Sequence, residues 1–265
     1  MAHKLTLYHM YPEAMNLYGD LGNIITLVKR CEWRGINIEV VNVKVGDKVD
    51  FGACDILFMG GGQDSGQRTI TDDLVSKGAK IKNEIDEGMP ALLVCGGFQL
   101  FGHYFETADG DKIPGISVFD AHTVAGNKRL IGNVVVDIAH ITNEWANMFN
   151  LPTTSTSHAT LVGFENHSGQ TNLEGDPKPF GYVIRGFGNK GDGGYEGAVY
   201  KNAYGTYLHG SLLPKNPWFA DHLIMCALYR RYGNVDNFAS LDDGVETAAH
   251  EAAIERSKTA RTLSI

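Results

Sequence analysis

The chain has 265 residues, 43% of them hydrophobic, enough to bury a sizeable core in one principal α/β domain. Its formal charge of −8 and its 23 scattered Lys and Arg residues argue against a nucleic-acid partner. Four widely spaced cysteines without C-x-x-C pairing point to a reduced, cytoplasmic protein, and no leader and no stretch of the roughly 18 apolar residues that a membrane span needs is apparent.

In chain order, LTLYHMY (5–11) reads as a strand, GDLGNIITLVKRCEWR (19–34) as a helix stopped by Gly35, and INIEVVNV (36–43) as a second strand. CDILFM runs into the glycines of MGGGQDSG (59–66), a polar helix spans Gln67 to Glu87, and ALLVC is a fourth strand. Short apolar strands alternating with helices predict right-handed crossovers and a mainly parallel sheet flanked by helices. The second half is richer in Gly and β-branched residues. RLIGNVVVDI, TLVGFENHSG, GYVIRGFGN and EGAVYKNAYGTYLHG read as additional antiparallel strands. Asn216 and Pro217 supply an N-cap and an N1 proline for WFADHLIMCALYRRY, which Gly233 closes. The main domain is expected over 1–238. Residues 239–265 form a helical tail, either frayed or docked against a partner, with a stripe of Val245, Ala248, Ala249, Ala252, Ala253 and Arg256.

Cys95 is the residue that needs a reason. It ends an apolar strand, two glycines follow, and a helix begins, so its thiolate is favoured by the partial positive charge of a helix N-terminus on the ligand-binding edge of a parallel sheet. The pattern is that of a nucleophile elbow with cysteine in place of serine. Cys31, Cys54 and Cys226 lie in or beside apolar runs and read as small core residues. A cysteine nucleophile needs an oxyanion hole, for which the backbone N–H groups of Gly61, Gly62 and Gly96 are candidates. It also needs a base. Of ten histidines, His209 stands out at the end of the strand-like AYGTYL, with His167 as second choice. No G-x-x-x-x-G-K-[ST] phosphate loop occurs.

CGGFQ behind a hydrophobic strand, the upstream glycine loop and the downstream YLHG resemble the class I glutamine amidotransferases. GFENHSGQT resembles the signature of their cobyric acid synthase branch, and YPEAMNLYGDLGNI narrows the resemblance to the GatD family of glutaminase subunits of lipid II isoglutaminyl synthase. The resemblance covers roughly residues 4 to 235. It implies that Cys95 attacks the side-chain carboxamide of L-glutamine, that His209 serves as acid and base, that Gln99 touches the substrate, and that Arg129 in GNKRLIGN clamps its α-carboxylate. The chain departs from the usual H-x-E by reading His209, Gly210, Ser211, which leaves a dyad or an orienting residue from elsewhere, with Glu165 a candidate. It also has Leu93 where many relatives have glycine.

The resemblance further implies a heterodimer with MurT, a Mur-ligase-like subunit that would carry the ATP and Mg²⁺, since no cofactor or metal is expected on this chain. The complex would amidate D-glutamate of the lipid II stem peptide in peptidoglycan synthesis, at the inner membrane face but with no anchor of its own. The competing readings are a cobyrinic-acid-type amidase, whose relatives carry a fused ATP-dependent domain, a stand-alone γ-glutamyl hydrolase, and a non-catalytic scaffold.

Overall fold

Apolar runs with no polar alternation are stable only in strands covered on both faces, and the first half of the chain meets that demand. A computed structural model describes residues 3–17, 19–149, 159–175, 178–235, 238–260 and 262–265. It begins with β1 (Lys4–Met10), α1 (Leu21–Glu32), β2 (Asn37–Val43), β3 (Ile56–Met59), α2 (Asp64–Asp86), β4 (Ala91–Val94) and α3 (Gly96–Phe101). Every residue of β3 and β4 is buried. There follow β5 (Tyr104–Glu106), β6 (Lys112–Pro114), β7 (Ala121–Asp137), α4 (Ala139–Met148), β8 (Thr160–Leu173), β9 (Gly181–Arg185), β10 (Tyr195–Glu196), β11 (Ala198–Tyr200), β12 (Ala203–Thr206), α5 (Pro217–Tyr232), α6 (Gly244–Thr259) and β13 (Leu263–Ser264).

Two sheets result, so the expected α/β class is the observed one, with one correction: β12, from the stretch EGAVYKNAYGTYLHG read as antiparallel, pairs parallel with β4 inside the first sheet, and only β11 of that stretch pairs antiparallel with it. The first has the order β11-β12-β4-β3-β1-β2, parallel except for β11. In the second, β7 is the trunk, pairing antiparallel with β8, β9 and β13 and parallel with β5. Leu93 is fully buried in β4, between Met59 and Gly205 on the flanking strands. The thiols of Cys31, Cys54 and Cys226 are buried, and burial pushes each of them up. Among the described residues no helix is long and apolar enough to cross a membrane.

The helix cap is corrected. Asn216 precedes α5 but does not cap it with its side chain. Its amide instead bonds both the N–H and the C=O of Val162, at 3.0 and 2.9 Å, stitching the helix start to β8. In α6 the small-residue stripe faces outward, with Val245 82% exposed, whereas His250 and Ser257 are the residues buried.

Candidate active site

β4 ends where its neighbour β12 ends, and the loops beyond that edge of the first sheet bring the site together. Cys95 bridges β4 and α3 at φ +52°, ψ −104°, a left-handed conformation that a non-glycine residue holds only under constraint from its surroundings. The constraint is visible: its N–H donates to the Thr206 carbonyl at 2.8 Å, and its carbonyl accepts from Gln99 N–H at 2.9 Å. Glycine follows for steric reasons. A Cβ on Gly97 would lie 2.6 Å from the Met59 carbonyl oxygen, and one on Gly96 would lie 2.9 Å from the Gly62 nitrogen.

His209 is fully buried, and its backbone is fixed by a two-way bridge to Phe164 of β8 at 2.7 and 3.1 Å. Its imidazole lies beside Cys95, within reach of the charge on the sulfur, and its Nδ1 lies 3.3 Å from Oδ1 of Asp20. Burial alone would disfavour the imidazolium, but the charge on Cys95 and the Asp20 carboxylate outweigh it and raise the ring to about 10. Upstream, buried Glu196 accepts from Tyr207 N–H at 2.6 Å and from the Thr206 hydroxyl, bracing the turn that delivers His209. Desolvation pushes the Glu196 carboxyl up to about 8, against the pull of these bonds.

The residue that faces His209 is therefore Asp20, not Glu165. The Glu165 carboxylate is occupied by the N–H groups of Phe187 and Gly188, at 2.7 and 3.0 Å, and holds the turn after β9. Ser211, which stands where the H-x-E pattern has its glutamate, donates to the Gly19 carbonyl at 2.6 Å and so ties down the turn that carries Asp20. Asp20 had one signal in the sequence: a carboxylate at the start of a helix just past the carboxyl end of β1, on the same edge as Cys95.

The three oxyanion candidates separate. Gly61 N–H donates to Asp20 Oδ2 at 2.8 Å and is not available to a substrate, which corrects its assignment. No acceptor among the described residues takes the N–H of Gly62 or Gly96. Gly61 instead has to be small, since a Cβ there would come within 2.8 Å of the His209 ring.

A cavity of about 350 Å³ joins Cys95, Gln99, Arg129, Gly62 and His167, with Gln67 and Asn166 also on its wall. Gln99 is locked at both ends, donating to Tyr207 Oη at 3.2 Å and accepting from Gln67 at 2.9 Å. Arg129 holds its Nε on Asn166 at 2.6 Å. His167 stacks on Tyr207 with ring centroids 3.7 Å apart and directs Nδ1 to the Gly169 carbonyl at 2.8 Å. Nothing local in the sequence marks Gln67, Asn166 and Tyr207, whose partners lie on other elements of the fold. A larger, open depression of about 1030 Å³ elsewhere contains neither Cys95 nor His209. His103, Asp120 and Glu174 bring potential metal-ligand atoms within 4.8 Å of one another, but they too lie off the cavity around Cys95.

The family of CobB/CobQ-like glutamine amidotransferase domains matches residues 6–217. Subunit GatD of lipid II isoglutaminyl synthase (glutamine-hydrolyzing) from Staphylococcus aureus is 37% identical over 254 residues, covering 96% of each chain. Its counterpart from Streptococcus pneumoniae is 38% identical, covering 91% of this chain and 87% of that protein. A probable cobyric acid synthase from Methanothermobacter thermautotrophicus is 32% identical, covering 48% of this chain and 24% of its own length. A solved glutamine amidotransferase from Thermotoga maritima shares the fold, with a TM-score of 0.52 at 15% identity, covering 97% of this chain and 100% of that one. By the match over most of its length and the two close subunits, the chain belongs to the CobB/CobQ-like glutamine amidotransferase family and is a glutamine amidotransferase.

Proposed function

We propose that this protein is the glutaminase subunit of a lipid II isoglutaminyl synthase. It would hydrolyse L-glutamine through a Cys95 thioester and pass the ammonia to a MurT-type ligase. The observation that carries the hydrolytic half is the cavity in which Cys95 and the uncommitted Gly62 N–H meet Gln99 and Arg129, with His209 and the Gly96 N–H beside the same elbow.

The Cys95 sulfur adds to the carboxamide carbon of glutamine, and the resulting oxyanion is received by Gly62 N–H and Gly96 N–H. His209, favoured as imidazolium by Cys95 and Asp20, gives its Nε2 proton to the departing nitrogen. The C–N bond breaks and ammonia leaves. A water then loses a proton to the neutral imidazole and attacks the thioester, releasing glutamate and restoring the thiolate. Arg129 is the group for the α-carboxylate, and Gln99, clamped between Gln67 and Tyr207, supports the substrate chain.

The acceptor half rests on kinship. The relatives matched along nearly their whole length are named as subunits of lipid II isoglutaminyl synthase, whereas the cobyric acid synthases are matched over a small part of theirs. Free ammonia is mostly protonated in neutral water, so a glutaminase of this kind is productive only beside a synthetase. The ATP and Mg²⁺ of the amidation would belong to that MurT-type partner, which would activate the D-glutamate α-carboxyl of the stem peptide. The heterodimer would meet its lipid-linked substrate at the cytoplasmic membrane face. Co-purification with candidate ligases, followed by glutamine-dependent amidation of lipid II, tests the whole reading. Cys95→Ala should abolish amidation with glutamine and spare it with added ammonium. Equal loss with both nitrogen sources overturns it.

A further inference from the structure

Besides the Arg34 Nε bond to the Ala239 carbonyl at 2.7 Å, the 239–265 tail is tied to the body at three places. Asp243, just before α6, pairs with the buried Arg30 guanidinium at 2.6 and 3.0 Å. His250, 3% exposed in α6, meets the Lys215 carbonyl at 2.9 Å, Asn216 Oδ1 at 3.1 Å and the Thr160 hydroxyl at 3.0 Å. The third tie is β13, whose Leu263 and Ser264 pair with Ile131 and Leu130 of β7.

That third tie lies at the glutamine cavity. The pairing of β7 with β8 slips between Ala125 and Leu130, so the main chain of 126–129 has no register partner on β8. Arg129 falls in the slip. Its N–H donates to the Ile265 carbonyl at 2.6 Å, and its carbonyl accepts from Ile265 N–H at 3.1 Å. β7 is also shaped to receive the segment, because a Cβ on Gly132 would lie 2.6 Å from Cγ2 of Thr262. A bulged strand is conformationally loose unless something pairs with it. Here the pairing comes from the far end of the chain.

We propose that residues 262–265 are a positioning element of the glutamine site: by pairing with Arg129 across the β7 bulge, they hold its guanidinium at the cavity rim and thereby set the affinity for glutamine. The inference rests on the reading of Arg129 as the α-carboxylate clamp. With β13 absent, residues 126–129 would have to be ordered anew at each binding event, a cost that falls on substrate capture and not on the chemistry at Cys95.

The test is steady-state glutaminase kinetics on the complex with its ligase. One variant lacks residues 262–265. A second, Gly132→Val, keeps the full chain but fills the space taken by Thr262. KM for glutamine should rise roughly tenfold in both while kcat stays within about twofold, and in an Arg129→Ala background the deletion should add nothing to KM. An unchanged KM, a fall in kcat alone, or the same KM increase in the Arg129→Ala background overturns the inference. If Arg129→Ala raises KM and the deletion does not, only the role of β13 falls. If Arg129→Ala itself leaves KM unchanged, the clamp and the inference fall together.

Discussion

The Asp20 carboxylate joins two loops to His209. One oxygen lies 3.3 Å from Nδ1 of His209, 189 residues away, and the other accepts the Gly61 N–H at 2.8 Å. The same carboxylate that faces the imidazole thus also fixes the glycine loop that carries the uncommitted Gly62 amide.

Asp20→Asn keeps a side chain of the same shape but removes the charge that favours imidazolium and admits the wrong ring tautomer. kcat for glutamine hydrolysis should fall by about 10²- to 10⁴-fold with KM little changed. Amidation driven by added ammonium should be spared. A loss below about fivefold would leave Asp20 a structural residue only.

Ser211 cannot be exchanged for the glutamate of the H-x-E pattern. A Cβ on Gly22 would already lie 2.1 Å from the Ser211 hydroxyl, and Ser211 itself sits at φ +52°. Ser211→Glu should therefore lower the melting temperature and abolish activity. Ser211→Ala, which only loses the bond to Gly19, should cost roughly three- to tenfold in kcat. Full activity in Ser211→Glu would show that the turn can open to admit a second carboxylate.

Cys95→Ala and Cys95→Gly should both be inactive yet differ in stability. At φ +52° alanine retains the backbone strain and glycine relieves it, so the glycine variant should be the more stable by about 1 kcal/mol in chemical denaturation. Equal stability would mean that the elbow stores no strain.

Glu196 predicts a pH dependence. Its carboxyl is raised from 4.5 to about 8 in the folded state, so between those values the unfolded chain releases a proton that the folded one keeps. Its contribution is fully present below pH 4.5 and is lost as pH rises through about 8, a change on the order of a few kcal/mol. Glu196→Gln should flatten that slope in melts recorded across the window. An unchanged slope would refute the assignment.

His209 gives a second window. Raised from 6.5 to about 10, it contributes stability that is complete below 6.5 and is lost toward 10. The difference in melting temperature between the wild type and His209→Gln should shrink as pH rises through that range. A difference independent of pH would mean that the imidazole is neutral in the folded protein.

How far the sequence could be read depended on the range of the interaction. The strand ending at Cys95, the paired glycines and the helix behind them are consecutive residues, and their dihedral and steric demands are local, so the elbow was legible. The parallel core was equally legible, because uninterrupted apolar runs leave few other solutions. The sequence alone offers Glu165 as one candidate to orient His209, beside a plain dyad, and Gly61 as a candidate oxyanion donor in a glycine loop. Neither choice could take account of Asp20, which claims both His209 Nδ1 and Gly61 N–H.

The sequence by itself determined the setting of Cys95, the alternation of strands and helices in the first half, and the kinship. The tertiary structure alone decided which carboxylate meets the histidine, which amides stay free for an oxyanion, and that the far end of the chain pairs with Arg129. The reason is physical: backbone torsions and side-chain periodicity act over a few residues, whereas a hydrogen bond between positions 20 and 209, or between 129 and 265, exists only after packing has brought the two segments together.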